Sequence, residues 1–400
     1  DESESRGLGD VYKRQPTLAE GSVYSVSFDG SDAGGNSAST VTSTSVTYDA
    51  AAPVFSGVSP ATSSIVNSAN VGYTLSEILA IGTVTFTQTG GSADGSSPHV
   101  VNLAGVELNS GVFSGALTNA PTLVDGSVYS VSFDGTDAVG NTALTVTSTS
   151  VTHDATAPVF SSVSPATSAM VNTANVGYTL SEALAIGTVT FTQTGGSADG
   201  SSPHVVSLAG AELNIGVFSG ALTNAPTLVD GAIYSVSFDG TDAGGNAALT
   251  VTSTSVTYDA TAPVFSSVSP VNSAIVNSAD VGYTLSEAIA NGTVTYTRTG
   301  GSADGASPHS VMLAGIELNT GAFSGALTNA PTLVDGAIYS VSFDGSDAVG
   351  NSAITVTSTS VTYDITLPVF SSVSPATSAI VNTANVGSVS YTHLTLPTTD

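Results

Sequence analysis

A long internal repeat constrains this chain more than any other feature. The string Pro-Val-Phe begins at Pro53, Pro158, Pro263 and Pro368, so the same segment returns every 105 residues. Solenoid repeats are shorter, about 20 to 50 residues, whereas a period of this length matches the size of an independent domain. The sequence therefore predicts a row of separate domains.

The repeat divides the chain into full copies, truncated copies and two terminal segments that do not match it. Both terminal segments resemble translated sequencing adaptors, and a genuine terminal tail is the alternative for each. We expect them to be non-native and leave them out of the fold prediction. The predicted parts are a tail at 1–15, the end of a truncated repeat at 16–52, full repeats at 53–157, 158–262 and 263–367, the start of a further repeat at 368–387, and a tail at 388–400.

Short runs of alternating apolar residues predict β-strands within each repeat. In the first full repeat Val71, Tyr73 and Leu75 share one face of such a run, and Val84 and Phe86 share one face of another. These residue types favour extended structure, and turn clusters rich in Gly and Asp separate the runs. Helical periodicity is not sustained in any repeat. About seven short strands in roughly 100 residues indicate an all-β fold, an antiparallel β-sandwich.

A local signature indicates that the sandwich is immunoglobulin-like. Leu123 is followed by an Asp-Gly turn and then by Tyr129, which opens an alternating strand. This arrangement resembles the tyrosine corner between the fifth and sixth strands of immunoglobulin and fibronectin domains. A proline such as Pro158 stiffens each junction between repeats. We therefore predict tandem immunoglobulin-like sandwiches of about 105 residues each, arranged as beads on a string.

The charge balance excludes several classes of partner. The chain has 31 Asp and Glu residues against 4 Lys and Arg, a formal net charge of −27. Nucleic acids and anionic membrane surfaces need basic patches, so neither is an expected partner. No apolar run approaches the length of about eighteen residues that membrane insertion requires. Cysteine is absent, which excludes disulfides and thiolate metal sites.

Two phrases recur in the repeats with little change. They are Asp-Gly-Thr-Asp-Ala-Gly-Gly-Asn at 239–246, before the last strand, and Thr-Tyr-Asp-Ala-Thr-Ala-Pro at 257–263, at a junction. Both resemble bacterial Ig-like repeats of large, acidic, cell-surface or secreted adhesins, and the resemblance covers 16–387. It implies an extracellular or bacterial cell-surface location, with calcium stiffening the junctions. The chain departs from the family by one residue inserted in the turn and by Ala51 or Leu367 in the junction, which bears on calcium ligation.

The strand order is expected to bring acidic residues together at each junction. With an odd number of strands, the turn before the last strand lies beside the linker from the previous repeat. At the second junction, Asp125 of the first repeat is also expected nearby. Carboxylates without nearby cations repel one another, and calcium, which takes about six to eight oxygen ligands, would remove this repulsion. Ordinary solvated turn residues are the alternative. The predicted calcium ligands are Asp49, Glu77, Asp134 and Asp137 at the first junction, Asp154, Glu182, Asp239 and Asp242 at the second, and Asp259, Glu287, Asp344 and Asp347 at the third.

Catalytic chemistry is not expected from this sequence. Each full repeat has one His in the string Ser-Pro-His, as at His99, and a single His does not make a zinc site. The nucleophile-elbow pattern Gly-x-Ser-x-Gly and a lysine-bearing phosphate loop are both missing. We therefore expect that the protein is not an enzyme.

The predicted function is a structural or adhesive stalk that holds a distant binding domain away from the cell. Its expected partners are neighbouring repeats and, through other parts of a longer protein, host or surface glycans or proteins. Two alternatives stay open: each repeat itself binds a glycan or protein, or the repeats are accessory to a larger secreted enzyme. An exposed aromatic platform would favour the first alternative. Alternation instead places most aromatic residues on inward faces, namely Tyr73, Phe86, Phe113, Tyr129 and Phe133.

Overall fold

A computed structural model describes residues 16–383 and 385–391 and confirms an all-β fold of repeated sandwiches. The truncated repeat contributes β1 (Val23–Phe28) and β2 (Val41–Thr47). The first full repeat contains β3 (Phe55–Ser59), β4 (Ile65–Val66), β5 (Val71–Leu75), β6 (Ile81–Gly91), β7 (His99–Asn102), a 3₁₀ helix (Gly105–Leu108), β8 (Gly111–Gly115), β9 (Ser127–Thr136) and β10 (Val146–His153).

The second and third repeats have the same elements in the same order. The second contains β11 (Phe160–Ser164), β12 (Met170–Val171), β13 (Val176–Leu180), β14 (Ile186–Gly196), β15 (His204–Ser207), a 3₁₀ helix (Gly210–Leu213), β16 (Gly216–Gly220), β17 (Ala232–Thr241) and β18 (Val251–Tyr258). The third contains β19 (Phe265–Ser269), β20 (Ile275–Val276), β21 (Val281–Leu285), β22 (Asn291–Gly301), β23 (His309–Met312), a 3₁₀ helix (Gly315–Leu318), β24 (Gly321–Gly325), β25 (Ala337–Ser346) and β26 (Val356–Tyr363). Among the residues that the structure describes, no helix is long and apolar enough to cross a membrane.

Two sheets face each other in every full repeat. In the first repeat the smaller sheet has the strand order β3-β5-β8 and the larger sheet the order β4-β10-β9-β6-β7. Neighbouring strands are antiparallel, except that β4 runs parallel to β10. Pro60 lies between β3 and β4 and has no N–H to donate, so the first strand breaks there and its second part joins the other sheet. This break adds one strand to the seven that the sequence predicts.

Each full repeat has its own hydrophobic core. In the first repeat the rings of Phe55 and Tyr73 lie 6.0 and 5.9 Å from the ring of Phe133 in the opposite sheet. Burying one such side chain contributes about 1.5–3 kcal/mol. Phe133 is 0% exposed, whereas the equivalent Phe28 of the truncated repeat is 63% exposed, because the described part of that repeat has no opposing sheet. The core therefore depends on a complete repeat.

The predicted tyrosine corner is present and connects to a buried Asp–His pair. The hydroxyl of Tyr129 accepts a hydrogen bond from Val124 N at 3.0 Å and donates one to Asp94 Oδ2 at 2.7 Å. His99 Nε2 lies 2.6 Å from the same carboxylate oxygen. The hydrogen bonds from His99 and Tyr129 lower the pKa of Asp94 to about 2. The His of the Ser-Pro-His string thus holds a loop against the core.

One predicted strand boundary differs from the structure, and one predicted tail overlaps a strand. Alternation assigns Leu144 to the last strand, but Leu144 is 87% exposed and β10 begins at Val146. The predicted tail at 388–400 begins inside β28 (Gly387–Tyr391), which pairs with β27 (Val369–Ser374) as β5 pairs with β3. The predicted tail at 1–15 and the rest of the tail at 388–400 lie outside the described residues, and their non-native origin stays a prediction.

Candidate metal centres at the repeat junctions

Three carboxylates meet at each of three junctions. At the second junction Asp154 lies in the linker after β10, Glu182 follows β13, and Asp242 begins the turn after β17. One oxygen from each of these residues lies within 4.8 Å of the others. The acidic groups at the first and third junctions are Asp49, Glu77 and Asp137, and Asp259, Glu287 and Asp347. Most of the predicted ligands are therefore brought together.

The other predicted ligands, Asp134, Asp239 and Asp344, are not part of these acidic groups. The carboxylate of Asp134 accepts a hydrogen bond from the hydroxyl of Thr145, and Asp239 and Asp344 accept the equivalent bonds. Asp134 precedes Asp137 by three residues, and an odd separation in extended chain directs two side chains to opposite faces of a sheet. The structure therefore brings together three of the four predicted carboxylates at each junction.

The aspartate of the turn is held by the backbone that follows it. Asp137 Oδ1 accepts hydrogen bonds from the N–H groups of Val139, Gly140 and Asn141 at 2.9, 2.7 and 2.9 Å, and Asn141 Nδ2 donates to Oδ2 at 2.7 Å. Burial alone would raise the pKa of Asp137, but these hydrogen bonds, led by that of the Asn141 side chain, lower it. Asp137 therefore stays ionised and fixed in position.

The glutamate is the least satisfied member of the acidic group. Glu182 Oε1 is buried and receives no hydrogen bond from the described part of the chain, and the same holds for Glu287 Oε1. Burial raises the pKa of Glu182, and the charges of Asp154, Asp242 and Asp125 raise it further. Burial and the neighbouring acidic residues raise the pKa of Glu77 and Glu287 in the same way. Among the residues that the structure describes, these glutamates have only acidic neighbours as charged partners.

No lysine or arginine of residues 16–383 and 385–391 supplies a counter-charge to these glutamates. Arg298 is the one Lys or Arg in these ranges, and it donates instead to the carbonyl oxygens of Gly301 and Ser302, both at 2.6 Å. Carboxylate oxygens without His or Cys are the donor set of a hard cation such as calcium. The unpartnered oxygens of Glu182 and Glu287 fit such a cation, which would give them a positive partner.

A further acidic residue approaches each junction but binds the linker backbone. Asp125 Oδ1 accepts a hydrogen bond from Ala155 N at 2.6 Å, and its Oδ2 accepts one from Thr156 Oγ1 at 2.8 Å. These hydrogen bonds lower the pKa of Asp125. Asp230 makes the same two contacts at the third junction, and Glu20 accepts from Ala50 N at the first. The sequence predicts the approach of Asp125 correctly, but not its role in fixing the linker.

Glu107 is a buried acidic residue that the sequence analysis does not single out, as is Asp94. Glu107 is 2% exposed; its Oε2 accepts a hydrogen bond from Ala104 N at 2.7 Å, and its Oε1 accepts two from Thr118, at 2.6 and 2.8 Å. Its backbone carbonyl accepts a further bond from the hydroxyl of Tyr73. The usable signal was a single Glu inside the apolar string Leu-Ala-Gly-Val-Glu-Leu. The residue is fully hydrogen-bonded and holds the 3₁₀ helix against the core.

Comparison with known proteins gives distant structural similarities. No protein-family model matches this chain, and no curated protein sequence does. The chain is similar to a tetra-tandem repeat in the extending region of a large adhesion protein, at 22% identity over 86% of this chain and 82% of that one, with a TM-score of 0.27. It is also similar to the FN1–FN3 domains of chicken CNTN1, at 14% identity over 78% and 100% of the two chains, with a TM-score of 0.30. Similarities at these TM-scores do not assign a function.

Proposed function

We propose that this chain is part of a non-enzymatic, structural or adhesive stalk of a bacterial surface or secreted protein, with calcium ions stiffening its junctions. One observation carries the proposal: the same three-carboxylate group recurs at three successive junctions, and at two of them a buried glutamate oxygen has no partner in the described part of the chain. Repetition of one sandwich domain lengthens such a stalk. Extracellular modules bind calcium with Kd values of about 10⁻⁴–10⁻³ M, which suits an extracellular or cell-surface location.

The residues that would hold calcium come from both sides of a junction. At the second junction Asp154 belongs to the linker, whereas Glu182 and Asp242 belong to the repeat that follows. Calcium, when bound, supplies the positive charge that cancels the repulsion among the three carboxylates. It would also connect the linker to the next repeat, which limits bending at that point.

Thermal unfolding with and without calcium tests this proposal. Calcium at 100 times its Kd is expected to raise the free energy of unfolding of a repeat by about 2.7 kcal/mol. Replacement of the three glutamates, Glu77→Gln, Glu182→Gln and Glu287→Gln, should remove the response. The matched control carries Asp134→Asn, Asp239→Asn and Asp344→Asn, because these residues lie outside the acidic groups. It should respond like the wild type. An unchanged Tm of the wild type in calcium would refute the proposal.

A groove on the larger sheet favours a second function, in which each repeat binds a ligand. In the first repeat the groove has a volume of 330 Å³, and its lining includes Ile81, Thr83, Asn102 and Asp134. Grooves at the equivalent place in the other repeats include Asp239 and Asp344. A carboxylate beside hydroxyl and amide groups suits a glycan. A glycan-array screen of residues 53–157, whose groove includes the amide of Asn102, tests this function with Asp134→Asn as the comparison: binding that depends on Asp134 supports it, and no binding excludes it.

A further inference from the structure

Some of the polar contacts that cross the junctions contain no carboxylate of the acidic groups. We propose that each repeat docks directly on the next, through a surface that fixes the angle between repeats before any metal ion binds. On one side is the asparagine that follows the short second strand of a repeat, and on the other is the Asp-x-x-Gly-Asn turn of the next repeat. The partner that this surface fits is another copy of the same repeat. The inference deepens the proposed stalk but does not depend on calcium.

A side-chain hydrogen bond joins the second and third repeats. Asn172 Nδ2 donates to Asn351 Oδ1 at 3.2 Å, although the two residues are 179 positions apart. Asn172 follows β12, whose parallel pairing with β18 places it at the C-terminal end of the second repeat. Asn351 ends the turn after β25, at the N-terminal end of the third repeat. The two repeats are therefore in direct contact.

The equivalent surfaces of the first and second repeats also lie close together. Gly245, in the turn of the second repeat, has φ +91°, and a Cβ built on it would lie 3.5 Å from Asn67 Nδ2 of the first repeat. A Cβ built on Gly350 of the third repeat would lie 3.9 Å from Asn172 Nδ2 of the second repeat. The recurrence of this approach at two junctions indicates a repeated docking surface.

The linker is bound to the repeats on both of its sides. Asn246 Nδ2, in the following repeat, donates to the carbonyl of Asp154 at 2.8 Å, and Asn351 Nδ2 donates to that of Asp259 at 2.9 Å. In the preceding repeat Asp125 accepts hydrogen bonds from Ala155 and Thr156. The amide groups of Asn246 and Asn351 carry no net charge, so added salt weakens their hydrogen bonds to the linker carbonyls little. The same amides also donate to the carboxylates of Asp242 and Asp347, so they join the acidic group to the linker. The angle between repeats therefore has determinants besides the acidic carboxylates.

Distances between spin labels in neighbouring repeats test the docking surface. The chain has no cysteine, so Thr192→Cys and Thr297→Cys, both exposed on long strands, place one label in the second repeat and one in the third. In a calcium chelator we expect a narrow distance distribution for the full chain. Asn172→Ala should broaden it at least about twofold, and Asn172→Asp should do the same, because a carboxylate cannot donate to Asn351 Oδ1. Ser207→Ala, at an exposed position of β15 in the labelled second repeat, is the matched control and should leave the distribution unchanged.

The outcomes separate this inference from the calcium proposal. A broad distribution for the chelated parent chain would overturn docking, and so would a narrow distribution in both Asn172 variants. A narrow distribution for the parent that broadens in the Asn172 variants supports docking, whether or not calcium later binds. Calcium binding is read separately, from the Tm response of chains with and without the three Glu→Gln substitutions.

Discussion

His153 occupies a buried position that the neighbouring repeats fill with tyrosine. The residue is 6% exposed, and its Nδ1 has no hydrogen-bond partner among the described residues. Tyr258 and Tyr363 stand at the equivalent positions and pack, partly exposed, against their own cores. A buried polar atom without a partner costs about 1–3 kcal/mol. The first repeat therefore carries a local destabilisation that the other two lack.

Exchange of these residues between repeats should shift stability in opposite directions. His153→Tyr in residues 53–157 is expected to raise the free energy of unfolding by about 1 kcal/mol, because it removes the unpartnered nitrogen. Tyr258→His in residues 158–262 is the matched control and should lower it by a similar amount. Urea unfolding followed by circular dichroism measures both changes. A destabilised His153→Tyr variant would contradict this explanation.

At single residues, the sequence predicts burial better than polar contacts. Alternation correctly placed Tyr73 and Phe86 in the core, at 1% and 2% exposure. The same alternation also separates Asp134 from Asp137, but the prediction assigns both to the turn before the last strand, whereas Asp134 lies within β9. The apolar string around Glu107 indicates its burial, but the hydrogen-bond donor Thr118 could not be predicted, because it is eleven residues away across a strand. Polar contacts of this kind depend on how loops fold back.

The Asp-x-x-Gly-Asn turn is the element that organises each junction. Its aspartate accepts hydrogen bonds from the turn backbone and contributes one carboxylate to the acidic group, and its asparagine donates to the linker carbonyl. The sequence predicted a turn next to the linker, because Asp, Gly and Asn favour turns and the strand order sets its position. It did not predict the asparagine contact, since a motif specifies local backbone and not the neighbour that a side chain reaches.

The acidic groups predict an unusual dependence of stability on pH. The pKa of Glu77, Glu182 and Glu287 is raised in the folded protein from an ordinary value of 4.5. Between the unfolded and the folded pKa the folded chain binds more protons, so the free energy of unfolding falls as the pH rises through this window. The pKa of Asp94 is lowered in the folded protein from an ordinary value of 3.8 to about 2. Between these two values the free energy of unfolding instead falls as the pH falls. The two effects occupy separate pH ranges.

Melting temperatures in a calcium chelator, measured from about pH 4 to 7, check this dependence. The wild type should lose stability as the pH rises through the raised pKa of the glutamates. The Glu77→Gln, Glu182→Gln, Glu287→Gln chain has no such groups and should show a flatter profile, with a higher Tm at neutral pH. Identical profiles for the two proteins would show that the glutamates are not under strain.

On the scale of the whole molecule, each full repeat has a separate core, and stability should be a sum of repeat and junction contributions. The 105-residue period predicted this division, because a segment copied end to end must bury its own apolar faces. The period did not predict how one repeat sits on the next. Contacts such as Asn172 to Asn351 join different copies, and the pattern within one copy carries no signal for them.

Mechanical unfolding of the single chain tests most directly whether the repeats are self-contained. With the chain pulled from its two ends, we expect three separate force peaks of similar height. Each should lengthen the chain by the same amount, roughly 330 Å, which is the extended length of one repeat less its folded length. One larger unfolding step, or a smooth extension without peaks, would show that the repeats share one cooperative structure and would contradict the account.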